Sequence, residues 1–134
     1  MNLLVDTSVW SLALRRDAPP PTSTVLYLRQ ALEGLATVLP TGIVLQELLQ
    51  GVRGSKGREV IVARFATRPF VVPDREDHID AAATHTACRR KGLQVVTIDV
   101  LLVQLCLRHD LTLLTADRDF AAIAEVVPLT IWMG

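Results

Sequence analysis

The stretch LTLLTADRDF, residues 111–120, runs an apolar segment straight into Thr115, Asp117, Arg118 and Asp119. Its first half reads as a strand hidden from water. One carboxylate at the far end would cap a following helix. Two carboxylates, two positions apart, need something to hold their charge. The same pattern occurs at the amino terminus, where the apolar run 2–5 ends on Asp6.

Outward from these two ends, the chain alternates short apolar runs with helical patterns. SVWSLALRR places apolar residues at 9, 10, 12, 13 and 14, a helix with Thr7 or Ser8 as its N-cap. DAPPPT breaks it, because consecutive prolines cannot continue a helix. STVLYLRQALEGL restarts with a Ser or Thr cap and is weakened at Gly34, and ATVLP is a second strand. TGIVLQELLQGV is a third helix, closed by a Gly51–Gly57 loop, and a further helix covers about 57–67. PFVVP, between prolines, reads as a strand; DREDHIDAAATHTACRRKG is a long helix with acids at its start and bases at its end. TIDVLLVQLCLRHD is apolar on nearly every face, which predicts a central buried helix. LTLLT, DFAAIAEV and LTIW finish as strand, helix and strand.

This alternation predicts an α/β chain with a short, mainly parallel sheet covered by helices on both faces, a three-layer α/β/α sandwich. In such folds ligands sit beyond the carboxyl ends of the strands. That rule places Asp6 and the Asp117–Asp119 pair at one edge.

At 134 residues the expectation is a single domain over 1–134. Half the residues are hydrophobic and mean hydropathy is +0.35, a surplus that predicts apolar surface buried against another chain, a homodimer. No apolar stretch reaches the roughly 18–20 residues of a membrane span, and the amino terminus lacks a basic segment, so it is no secretory signal. Cys88 and Cys106 have no CxxC spacing and read as free thiols, which with the missing signal predicts a cytoplasmic protein. The 14 basic and 14 acidic residues cancel, excluding whole-molecule attraction to nucleic acid but not a local patch. Residues 51–68 carry five bases against Glu59 alone, and residues 74–80 carry four acids against Arg75, the latter a helix start.

Two further acids are out of place. Asp99 opens the most apolar helix, and Glu47 sits inside IVLQELLQ. Each has a plain reading: Asp99 as a helix cap, Glu47 as part of a solvated stripe with Gln46 and Gln50. Together with Asp6, Asp117 and Asp119 they form a set that would repel unless protons or cations compensate it. Oxygen ligands without a Cys or His cluster favour hard cations, Mg²⁺ or Mn²⁺. Zinc does not suit His78, His85 and His109, whose spacing matches no zinc motif and which read as surface or structural. Ser8 and Ser11 have no paired histidine, so hydrolysis by metal-activated water is the economical chemistry.

The stretches LLVDTSVW, the internal Glu47, TIDVLLVQLC and LLTADRDF resemble, in order and approximate spacing, the PIN-domain ribonucleases, specifically the VapC-type toxins of toxin–antitoxin pairs. The resemblance spans almost the whole chain. It implies a PIN-like fold, with Asp6, Glu47, Asp99 and Asp117 at the family's acidic metal-binding and catalytic positions. It sets Asp119 at the variable fifth acid, also a metal-ligand candidate, and Thr115 at the supporting hydroxyl; Thr7 stands beside Asp6 as a second supporting hydroxyl. It further implies endoribonuclease cleavage leaving a 5′-phosphate and a 3′-hydroxyl, a homodimer, and a VapB-like antitoxin partner. Arg15, Arg16, Arg53, Lys56 and Arg58 are candidate RNA contacts, with a solvated face as the plain alternative. Three other readings stand beside the nuclease. A catalytically silent PIN-like binding module would share the fold. A Mg²⁺-dependent phosphatase would want an Asp where Ser8 stands. A receiver domain would want adjacent acids after the first strand and a late lysine.

Overall fold

Leu3, Leu4 and Val5 are buried as a continuous run, the signature of a strand covered on both faces. In the computed structural model, which describes residues 1–15 and 20–134, they form β1 (Asn2–Val5) at the centre of a three-stranded sheet. β2 (Thr37–Val38) and β3 (Thr112–Leu114) flank it, both parallel to it. Leu3 faces Val38 on one side, and Leu4 and Val5 face Leu113 and Leu114 on the other. The ladder runs one residue past β1, through Asp6 N donating to Leu114 O at 3.1 Å. Helices cover both faces in a three-layer α/β/α arrangement, as the alternating pattern predicts.

α1 (Thr7–Ala13) follows β1 directly; its N-cap is Asp6, whose side chain accepts from Val9 N, and not Thr7 or Ser8 as the sequence suggested. The carboxylate is one residue earlier and already faces the helix start. α2 (Ser23–Gln30) begins with Thr22 as its cap and passes into a wider π-type turn at Ala31–Leu35. Gly34 ends that turn at φ 117°, a conformation costly to any side chain. α3 (Gly42–Gly51) and α4 (Ser55–Ala66) pack together, with a connection shorter than the expected Gly51–Gly57 loop.

PFVVP does not form a strand. Pro69 and Pro73 have no N–H to give a ladder, and the segment is tied to the sheet edge by Val71 N donating to Pro40 O at 2.9 Å. The final LTIW segment is likewise reduced to a single parallel bridge between Leu113 and Ile131.

α5 (Arg75–Arg90) and α6 (Thr97–His109) lie along one another, and α7 (Asp119–Ile123) closes the chain after β3. α6 buries Val100 and the run Leu102–Cys106, close to the central helix expected, while Arg108 and His109 stay exposed. Cys88 and Cys106 are free and buried. Burial pushes both thiols up, Cys106 to about 12, so neither supplies a thiolate. Among the described residues, no helix is long and apolar enough to cross a membrane.

Candidate functional site

Because β1 and β3 are parallel neighbours, their carboxyl ends meet at one edge, and each delivers its acids there. Asp6 is 4 % exposed and would be costly to ionise without donors. Three are supplied. Ser8 Oγ donates to Asp6 Oδ1 at 2.5 Å, Thr115 Oγ1 donates to Asp6 Oδ2 at 2.5 Å, and Val9 N donates to Oδ1 at 3.3 Å. Burial still outweighs them, and with help from the Asp117 charge it holds the Asp6 carboxyl above its ordinary value.

The two hydroxyls also bind backbone. Ala116 N donates to Ser8 Oγ at 3.0 Å and Asp117 N donates to Thr115 Oγ1 at 2.9 Å. Asp119 N donates to Asp117 Oδ1 at 2.9 Å, which turns the chain into α7. Ser8 and Thr115 thus pin the 115–117 turn onto Asp6. The sequence offers Ser8 as a cap, as a serine without a paired histidine, and as the position where a phosphatase would want an Asp. Its position two residues after a strand-end aspartate, where a hydroxyl reaches back to the carboxylate, was the available signal.

Glu47 reaches this edge from α3. Thr7 Oγ1 donates to Glu47 Oε1 at 2.7 Å, tying the start of α1 to the middle of α3. The solvated-stripe reading holds for its neighbours instead, since Gln46 and Gln50 bond each other on the exposed side.

Asp99 lies in the first turn of α6, but the N-cap is Val96 and no side chain caps that helix. Its carboxyl is pushed up to about 6, first by burial and then by the negative charges of Asp117, Asp6, Asp119 and Glu47. Every acid singled out in the sequence therefore acts on Asp99. In the arrangement seen, no three His, Cys, Asp or Glu side chains among the described residues stand close enough together to hold one ion. The two observations agree physically, because carboxylate repulsion reaches further than ligation does. By donor type the set suits a hard cation: all oxygen, with an unrelieved negative charge centred on Asp99.

The candidate RNA contacts divide. Arg15 and Arg53 line one cavity with Glu47, whereas Arg58 lines a depression on the Gly42–Gln46 side of α3. Lys56 is exposed, and Arg16 lies outside the described residues. The histidines stay apart from the acids: His85 Nε2 bonds Val95 O at 3.0 Å, and His78 and His109 are exposed.

The PIN domain signature matches residues 3–126. No curated protein matches the chain in sequence. Among solved structures, VapBC2 from Rickettsia felis, bound to a DNA fragment from its promoter, is similar at TM-score 0.74 and 20% identity, covering 98% of each chain. VapBC-5 from Mycobacterium tuberculosis, a member of the VapBC family of toxin–antitoxin systems, is similar at TM-score 0.68 and 18% identity, covering 99% of this chain and 98% of that one. VapC20 from Mycobacterium tuberculosis, a sarcin–ricin loop cleaving toxin, is similar at TM-score 0.69 and 17% identity, covering 96% of this chain and 98% of that one.

Proposed function

The chain belongs to the PIN domain family, and from that premise we propose that it is a Mg²⁺- or Mn²⁺-dependent endoribonuclease, the toxin of a toxin–antitoxin pair. The observation that carries this reading is the meeting of Asp6 and the 115–117 turn at the parallel strand ends of β1 and β3, tied by Ser8 and Thr115, with the charges of Asp117, Asp6, Asp119 and Glu47 reaching Asp99. Asp6, Asp99 and Asp117 would hold the metal, with Asp119 as a further oxygen ligand. When bound, the ion supplies hydroxide near neutral pH and offsets charge on the phosphodiester.

The chain's own groups do the rest. Ser8 and Thr115 fix the orientation of Asp6, and Thr7 fixes Glu47. Held in this way, Glu47 would accept a proton at Oε2, the carboxylate oxygen that does not bond Thr7. Arg15 and Arg53 offer guanidiniums to RNA phosphates, and Lys56 and Arg58 extend the positive surface. The likeness to structures of VapBC complexes supports a VapB-like antitoxin as partner. Exposed Val72, Val96 and Ile79 support a homodimer, the two free cysteines support a cytoplasmic location, and the one hydrophobic core cluster supports a single domain over 1–134.

A second reading is a PIN-like module that binds without cutting. It draws on the absence, among the described residues, of three ligands within reach of one ion. One experiment separates the two. Total RNA is incubated with purified chain in EDTA, then with Mg²⁺ or Mn²⁺ restored, and the new ends are sequenced. The nuclease reading requires new 5′-phosphate ends that need the ion and vanish in Asp99→Asn. Metal-loaded protein that binds RNA and leaves it intact would give the binding module instead.

A further inference from the structure

A cavity of about 510 Å³ opens at the amino ends of β1 and β2, the end of the sheet away from the acids. Its size lies in the roughly 300–1,000 Å³ range of ligand sites. Ala36, Thr37 and Val38 form one wall, and Thr67, Arg68 and Pro69, just past α4, form the other. Among the described residues no Asp or Glu lines it. Arg68 is half-buried, and among the described residues it enters no ion pair, those seen belonging to Arg108. A guanidinium drawn partly out of water is costly until an anion meets it.

The opposite wall has an unfinished ladder. Thr37 N donates to Met1 O at 3.0 Å and Leu39 N donates to Leu3 O at 2.9 Å, so both turn toward β1. Val38, between them, turns its N–H and C=O the other way, where the described residues place no strand. Further along that side, Val71 N takes up Pro40 O at 2.9 Å. By the same two-residue step the donor for Val38 O would come from residue 69, a proline without an N–H. The pairing therefore stops at the cavity, with Val38 buried in its wall. We propose that this cavity docks an extended segment of a partner polypeptide, which adds to β2 by pairing with the Val38 backbone and sets an acidic side chain on Arg68.

The chemistry favours a peptide over a small anion. An extended backbone brings a donor and an acceptor together, which is what Val38 offers partners for, and strand addition at a sheet edge is an established way to hold a peptide. A carboxylate matches the guanidinium fork with two oxygens. Leu35, 61 % exposed at the rim, gives an apolar neighbour of that acid something to cover. Free phosphate would meet Arg68 but would not pair with the strand. Because the cavity lies at the far end of the sheet from Asp6 and Asp117, a docked segment leaves the acid edge open, and the proposal stands apart from the nuclease reading.

The test selects random peptides displayed on phage against the full chain and remakes those enriched with a fluorescent label. They should carry an Asp or Glu beside an apolar residue. By anisotropy, Arg68→Gln should bind such a peptide roughly tenfold more weakly, and wild type should show the same loss when the peptide's acid becomes its amide. Hydrogen exchange at the Val38 amide should slow in the complex, which a contact through side chains alone would not produce. A selection that enriches nothing overturns the proposal. So do enriched peptides that bind Arg68→Gln as tightly as wild type or leave Val38 exchange unchanged. Inorganic phosphate that raises the melting temperature through Arg68, with no peptide enriched, makes the cavity a small-anion site and overturns the docking. Should Arg68→Gln unfold, Leu35→Asp at the exposed rim decides, by the same weakening of the acidic peptide.

Discussion

Asp77 and Asp99 occupy the same position, the third residue of a helix, on two helices that pack side by side. Asp77 is 1 % exposed and fully served. It closes a capping box with Asp74, accepts from Gln104 Nε2 at 3.3 Å, and pairs with Arg108, which also reaches Asp74 at 3.1 Å. Burial alone would raise its carboxyl, but the Asp74 backbone, Gln104 and Arg108 outweigh it and hold the pKa below the ordinary value. At Asp99 burial comes first, the charges of Asp117, Asp6, Asp119 and Glu47 add to it, and the carboxyl is pushed up to about 6. The first arrangement fastens α5 to α6. The second holds repulsion that an ion or a proton would relieve, the arrangement the proposed nuclease site requires.

The comparison is broken most directly by neutralising each acid in turn. Asp6→Asn, Asp99→Asn or Asp117→Asn should lower RNA cleavage on the order of a thousandfold, since a metal supplies several kcal/mol at the transition state. In chelator their melting temperatures should match or exceed wild type, because repulsion has been removed. Full activity in Asp99→Asn would undo the assignment. Asp77→Ala should behave in reverse, retaining cleavage by the folded fraction while losing about 2–4 kcal/mol of stability in urea titration. That loss combines the cap with the unpaired Gln104 and Arg108.

The sequence separates these two acids by context, Asp99 opening the most apolar helix and Asp77 falling in the acidic helix start at 74–80, but it does not show what holds Asp77. Both read as first-turn carboxylates, and the distinguishing partners lie 27 and 31 residues away for Asp77. The strand-end acids Asp6 and Asp117 were legible, because an apolar run that stops on a carboxylate can only deliver it to the sheet edge. Ser8 was not, since a short-range hydroxyl bond leaves no periodic signal. PFVVP was misread for a different reason: its composition suits a strand, but two prolines remove the donors a ladder requires.

pH sharpens the contrast. Asp77 has a folded pKa below its ordinary 3.8, so its stabilisation is present above that value and is lost as pH falls below it. Asp99 has a folded pKa raised from 3.8 to about 6, so the stability it contributes below 3.8 is lost as pH rises toward and through 6. Urea unfolding at stepped pH in chelator should show both slopes. Asp77→Asn should erase the acid-side one, and Asp99→Asn should reduce the one between 3.8 and 6, to which the raised Asp6 carboxyl also contributes. The smallest effect belongs to Asp110, a third carboxylate, which ends α6 at φ 53°. Asp110→Gly should stabilise by up to about 1 kcal/mol with cleavage unchanged, since glycine accepts that conformation freely. A fall in cleavage would show that acids anywhere on α6 matter.

The central strand is made first and completed last. β1 is synthesised well before its partner β3, which begins at Thr112, and Asp6 waits 109 residues for the Thr115 hydroxyl. At about 5–20 residues per second, translation leaves β1 without β3 for roughly 5–20 s. Through that interval Asp6 lacks one of its three donors, and the acid edge is incomplete on the nascent chain.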